Sequence, residues 1–235
     1  MIEENHIVSA FDRDLAELND MVARLGVRAG EQFAAALSAL ETQNASQIET
    51  IVTADSELDE LEQQINERAI EIIAMRSPKA TDLRCIVAAL KVSSVLERIG
   101  DYAKNIAKRS RVIIGEDEAS DTGLFVNVGA LVQKMLQDVM TAYANNDAEL
   151  AIQVWNSDQN VDAIHTQINQ ELLQDMREQS ELTTVIAHFL FIAKNIERVG
   201  DHATSIAEQV HFLVHGTMPD DERPKADDAS SAGAA

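Results

Sequence analysis

The eleven residues ERIGDYAKNIA at 97–107 return as ERVGDHATSIA at 197–207, one hundred positions later. Seven of the eleven are identical, and an eighth pairs Ile99 with Val199. An ungapped match of this length means internal duplication, so the fold must be built from two related units. A second pair of segments agrees. DSELDELEQQIN from Asp55 and DQNVDAIHTQIN from Asp158 share Asp55/Asp158, Asp59/Asp162, Gln64/Gln167, Ile65/Ile168 and Asn66/Asn169. Their offset is 103, and the difference of three falls where the first unit carries SPKA (77–80).

The units are helical. Between Pro78 and Pro219 there is no proline, aromatics make up 4% of the chain, and Ala, Leu, Ile, Glu and Gln dominate, a composition that favours long packed helices. Apolar residues at Ile7, Phe11, Leu15, Leu18, Val22, Leu25, Phe33, Leu37 and Leu40 form a near-heptad stripe on a first helix. ETQNASQ (41–47) reads as a turn, followed by a helix from about Ile48 to Met75. Ser77-Pro78 fits an N-cap with proline at the first helical position, opening a third helix to about Ile113. After the polar linker GEDEASDTG (115–123) come helices over about Leu124–Tyr143, Ala148–Arg177 and Leu182–Leu213. The expected architecture is all-α: two tandem, pseudo-symmetric three-helix bundles with long antiparallel helices. The first spans 1–115 and the second 116–215, and 216–235 is an acidic tail without apolar period, expected to be disordered.

The formal charge of −21 repels phosphate backbones and argues against nucleic acid as a partner. Glu3 and Glu4 interrupt any apolar start, and no apolar run reaches the length of a membrane span. A cytoplasmic protein is expected. Cys85, the single cysteine, lies among Leu83, Ile86 and Val87 and reads as core. No nucleophile–base pair, phosphate loop or redox cysteine pair is evident, so the chain does not read as an enzyme.

Four acid-x-x-x-acid pairs occupy matching places: Asp55/Asp59, Glu97/Asp101, Asp158/Asp162 and Glu197/Asp201. Each pair shares a helix face, yet 40 acids in 235 residues yield about seven such pairs by chance. Their placement carries the information. Asp59 with Glu97, and Asp55 with Asp101, both have midpoint 78, and both midpoints in the second unit fall at 179.5, the two predicted turns. Folding each hairpin therefore gathers four carboxylates. They must be protonated, neutralised by Arg or Lys, or bound to a cation. Oxygen-only ligands favour Mg²⁺, Mn²⁺, Ca²⁺ or iron. Gly100 and Gly200 would admit a close neighbouring helix or a bulky cluster. His165 lies three residues after Asp162, but its first-unit counterpart is Glu62, so the symmetric acid-x-x-His motif of di-iron bundles is missing. Solvent-facing acids balanced by Arg98 and Arg198 remain an alternative.

The doubled ERIGD/ERVGD, the DSELD and DQNVD segments, SPKATDLR (77–84) and FDRDLAEL (11–18) together resemble the PhoU family of phosphate-uptake regulators over about residues 5–215. The resemblance implies two similar three-helix bundles and metal clusters bound by Asp55, Asp59, Glu97, Asp101, Asp158, Asp162, Glu197 and Asp201. The ions would be divalent or trivalent (Fe, Mn, Mg or Zn), in one or several nuclei. It implies a negative regulator of phosphate uptake and of the phosphate-starvation response. The protein would be a metal-binding adaptor between a phosphate-sensing membrane histidine kinase and the ATPase subunit of a phosphate ABC transporter, peripheral to the membrane through those partners. A homodimer is compatible with this role. Asp82 and Arg84 are the expected partner-binding residues. The second unit has SELTTVIA (180–187) in place of the motif. The competing expectation is a carboxylate-bridged metalloenzyme or metal-storage bundle.

Overall fold

The computed structural model describes residues 2–114 and 122–219. Six α-helices follow in order: α1 (Ile2–Thr42), α2 (Ala45–Arg76), α3 (Thr81–Ile113), α4 (Gly123–Asn145), α5 (Ala148–Glu178) and α6 (Thr183–His215). A 3₁₀ turn (Ser180–Leu182) joins the last two. Most of the linker (115–121) and of the tail (220–235) lies outside the described residues.

Local chemistry sets the turns. Asn44 caps α2, its side-chain oxygen accepting from the Ser46 N–H at 3.1 Å, so α2 starts three residues before the expected Ile48. Asp147 does the same for α5, accepting from the Leu150 N–H at 2.9 Å. Ser77 does not cap α3. It ends α2 in the left-handed region (φ 47°, ψ 57°) and donates its N–H to the Ile73 carbonyl, which satisfies one of the orphan carbonyls of α2. Pro78 therefore sits in the connection and α3 begins at Thr81, after Ala80 at φ 45°. Cys85, one turn into α3, is half-buried rather than core, and neighbouring Leu83 is 40% exposed. This end of α3 lies beside the open hairpin tip.

Helices α1, α3, α6 and α4 contact one another in a closed ring; α2 covers α1 and α3, and α5 covers α4 and α6. Within the described residues α2 and α5 do not touch. A single hydrophobic cluster runs through all six helices, including Phe33, Leu96, Phe125 and Phe189. Asp14 ties α1 to α2, accepting from Arg68 at 2.7 Å and pairing with Arg76 at 2.8 Å.

The repeats meet about a pseudo-twofold axis. Tyr102 and His202 occupy equivalent positions, and their rings pack against each other at 5.3 Å, which places the axis at this contact. Contacts along α3 and α6 run antiparallel, from Arg84 against Gly216, through Lys91 over Phe212, to Arg109 over Phe191. Between α1 and α4 one contact is made twice. A Cβ at Gly26 would lie 2.5 Å from Met140, and a Cβ at Gly129 would lie 2.6 Å from both Leu37 methyls. The offset of 103 relates Gly26 to Gly129 and Leu37 to Met140. Each glycine thus leaves the hollow into which a side chain of the other repeat packs.

Gly129→Ala should cost about 1 kcal/mol, because overpacking against buried Leu37 exceeds the gain in helix propensity. Gly30→Ala, whose new Cβ would meet its nearest neighbour at an ordinary 3.6 Å, should stabilise by about 0.5–1 kcal/mol. Urea unfolding of the two variants checks the opposite signs.

Candidate metal centre

The first hairpin brings its acids together across α2 and α3. The Lys104 ammonium donates to both Asp55 and Asp101, so these two carboxylates stand level on opposite arms. From α1, the buried Gln32 amide donates to Asp55 Oδ1 at 3.4 Å and to the Ile51 carbonyl at 3.2 Å. Asp55 is buried, Glu97 and Asp101 are half-buried, and Asp59 is exposed. Desolvation pushes the Glu97 carboxyl above its ordinary value, and the charges of Asp101, Asp59, Glu62 and Asp55 push it further. Partial burial pulls the Lys104 ammonium down, but its hydrogen bonds to Asp101 and Asp55 outweigh this and hold it well above its usual range.

The second hairpin is drier. Asp158 is 1% exposed, Asp162 5% and Glu197 7%, with Asp201 half-buried beside them. A Cβ added at Gly200 would lie 3.5 Å from Asp158 Oδ1 and from Val161, so the bare backbone of α6 lets this carboxylate lie against it. Glu197 Oε1 accepts from Lys194 at 2.8 Å, while Oε2 is buried with no hydrogen-bond partner. Burial raises the Glu197 carboxyl; the Lys194 hydrogen bond opposes the rise and the Asp201 charge adds to it. Arg198 reaches Asp201 at 3.8 Å. Both of these cations sit on α6 itself, three residues from their acids, and are about half exposed.

His165 is half-buried against Asn169 at 3.1 Å. His202, on the pseudo-axis, is held below its ordinary value by burial first and then by the Arg98 charge. Among the described residues no three His, Cys, Asp or Glu groups converge closely enough to hold a metal ion in their present rotamers. The donor set nevertheless fits a hard cation. It offers oxygen only, three of the second repeat's acids are buried, and one buried carboxylate oxygen lacks a partner. Coordination requires carboxylate rotations, and in the first repeat also displacement of an ammonium.

Asp82 and Arg84 lie in the first turn of α3, about 25 Å or more along the helix from Asp101. Arg84 Nη2 donates to Thr81 Oγ1 at 3.1 Å. Its Nη1 stands where a Gly216 Cβ would be, so the guanidinium docks on the glycine that ends α6. Lys104 and Gln32 were not singled out from the sequence. Lys104 follows Asp101 by three residues, which by itself signals a same-helix ion pair; its reach to Asp55 needs the hairpin.

A family model described as the PhoU domain matches residues 22–110 and again 125–210. A phosphate-specific transport system accessory protein PhoU homolog of Caulobacter vibrioides is 41% identical over 223 residues, spanning 94% of this chain and 97% of that one. A protein of the same description from Rhizobium meliloti is 38% identical, with 97% of each chain covered. The crystal structure of PhoU from Pseudomonas aeruginosa superposes with a TM-score of 0.85 at 32% identity, over 88% of this chain and 100% of the other. The phosphate transport system regulatory protein PhoU from Streptococcus pneumoniae gives 0.84 at 27% identity, over 89% and 99%.

Glu97 is protonated more readily in the folded than in the unfolded chain, so its contribution to stability is unfavourable above its folded value. That penalty is relieved as the pH falls through that value toward the ordinary 4.5. In chelator, Glu97→Gln should therefore raise stability at pH 7 by about 0.5 kcal/mol and flatten its rise as the pH falls from neutrality toward the ordinary 4.5. Thermal unfolding across that range measures both.

Proposed function

Because the chain belongs to the PhoU family, we propose that it is a regulatory accessory protein of phosphate transport, restraining phosphate uptake and the phosphate-starvation response when phosphate is plentiful. The match of both repeats to the PhoU domain, together with the described role of relatives that it covers almost end to end, carries this reading. No helix among the described residues is long and apolar enough to cross a membrane. In this reading the protein is cytoplasmic and reaches the membrane through its partners, a phosphate-sensing histidine kinase and the ATPase subunit of the transporter, as a monomer or a homodimer.

The role proposed is adaptor rather than catalyst. Asp55, Asp59, Glu97 and Asp101 would hold one cation site, and Asp158, Asp162, Glu197 and Asp201 the other. A bound hard cation would neutralise carboxylates that otherwise repel across each hairpin. What the chain itself supplies is the fixed pairing of α2 with α3 and of α5 with α6, which keeps the acids level. Partner contact is assigned to the first hairpin tip, which carries Asp82 and Arg84 and, at the end of α2 and the start of α3, the exposed Met75 and Leu83. The docking of Arg84 on Gly216 couples that tip to the end of α6.

In a strain with no second copy, deleting the gene should derepress alkaline phosphatase in phosphate-rich medium. Unchanged repression would refute the regulatory role. Elemental analysis of the purified protein addresses the metal separately: combining Glu97→Gln, Asp101→Asn, Glu197→Gln and Asp201→Asn should reduce bound metal at least tenfold, and undiminished content would refute these ligands.

A further inference from the structure

The two carboxylate clusters are duplicates in acid content but not in counter-charge. At the equivalent of Lys104 the second repeat has Thr204, and at the equivalent of Gln32, by the offset of 103, it has Met135. The two groups that donate to Asp55 in the first repeat, an ammonium and an amide, thus have an alcohol and a thioether as counterparts. The Thr204 hydroxyl donates to the Asp201 carbonyl at 2.7 Å, along its own helix.

We infer that Lys104 is a built-in counter-cation that weakens the first repeat's carboxylate site for metal, leaving the second repeat as the tighter site for a hard divalent cation. This rests on the metal-binding reading above and adds to it an order of occupancy and the residue that sets it. Lys104 Nζ spans both arms of its hairpin, joining Asp55 of α2 to Asp101 of α3. That is the position from which a cation would cross-link the arms. A metal entering there must break two charge-assisted hydrogen bonds and expel an ammonium that is only 20% exposed. In the second repeat Glu197 Oε2 is already buried and unpartnered, in a residue 7% exposed. The cations that pair with Glu197 and Asp201, Lys194 and Arg198, are 42% and 50% exposed and can swing into solvent at little cost. A cation there gains an unsatisfied buried carboxylate oxygen, whereas in the first repeat, where the unpartnered buried oxygen is that of the neutral Gln32 amide, it replaces a satisfied charge pair.

The test is calorimetric titration of Mn²⁺ into full-length, chelator-stripped protein. The wild type should show a single tight class, which Glu197→Gln abolishes and Glu97→Gln leaves. Lys104→Thr, which copies the second repeat, should create a second tight class by strengthening the first-repeat site about tenfold or more. In chelator the same variant should unfold at lower temperature than the wild type, since two carboxylates lose their shared partner, and Mn²⁺ should restore it. Should Lys104→Thr fail to fold, Lys104→Met keeps the aliphatic stem without the charge and makes the same comparison. Unchanged Mn²⁺ binding in the Lys104 variant, or a wild-type tight class lost in Glu97→Gln and kept in Glu197→Gln, overturns the inference while the metal reading stands. No Mn²⁺ binding by any of these proteins overturns both.

Discussion

The antiparallel packing of α3 on α6 is the contact on which the rest of the molecule depends. Its register is pinned by Tyr102 against His202 at the pseudo-axis and by Arg84 against Gly216 at one end. Both helices bury a long apolar stripe, Ile86 to Ile113 and Val185 to Val210, so a slip of one turn would expose buried Ile and Val side chains on each. Burial of one such side chain is worth about 1.5–3 kcal/mol. With the two third helices fixed back to back, each can accept its second helix only on an outer flank. The carboxylate clusters are therefore held apart, one on each hairpin, rather than merged into one site at the axis.

Duplication has left the packing and the charges with different histories. The contact of Gly26 with Met140 repeats as Gly129 with Leu37, and that of Gly100 with Leu58 as Gly200 with Val161. An apolar side chain of similar bulk recurs where the backbones approach, with a looser fit only at Gly200, where Val161 stands in for Leu58. Around the acids the partners have diverged: Lys104 against Thr204, Gln32 against Met135, Glu62 against His165. Close packing limits what can change at such contacts, whereas beside the acids a change of partner is tolerated where the carboxylate keeps another donor, as Glu197 keeps Lys194. The two clusters were thus free to become different sites on a common scaffold.

Much of this was legible in the letters alone. The repeat fixed the number of units, the lack of proline fixed their class, and the midpoint arithmetic placed Asp55 level with Asp101, where Lys104 joins them. Level along a helix is not rotation about it, however. Equal midpoints could not tell that Asp59 faces solvent while its counterpart Asp162 is buried; that depends on how α2 and α5 roll against their neighbours. Ser77-Pro78 carried an N-terminal signal, but the stronger local demand was to end α2, and the αL conformation of Ser77 answered it. Propensity ranks options for a residue, and the neighbouring helix decides among them.

The connection between α2 and α3 also sets how the two ends of the first hairpin can influence each other. Ser77 and Ala80 both hold positive φ without being glycine, a conformation that persists only where surrounding packing enforces it. The enforcement comes from both sides: α2 ends on the bond from Ser77 to Ile73, and α3 begins with Arg84 held between Thr81 and the end of α6. The acids lie several turns away along the same two helices. Any change in the spacing of α2 and α3 at Asp55 and Asp101 must be absorbed either by the core between them or by this tight link. The core is close-packed there, with Leu58 against Gly100 and Ile65 fully buried, and the link is held at both ends, so neither yields readily. A cation at the acids and a partner at Asp82 and Arg84 would then act on one mechanical unit, whose tip is also anchored to the second repeat through Gly216.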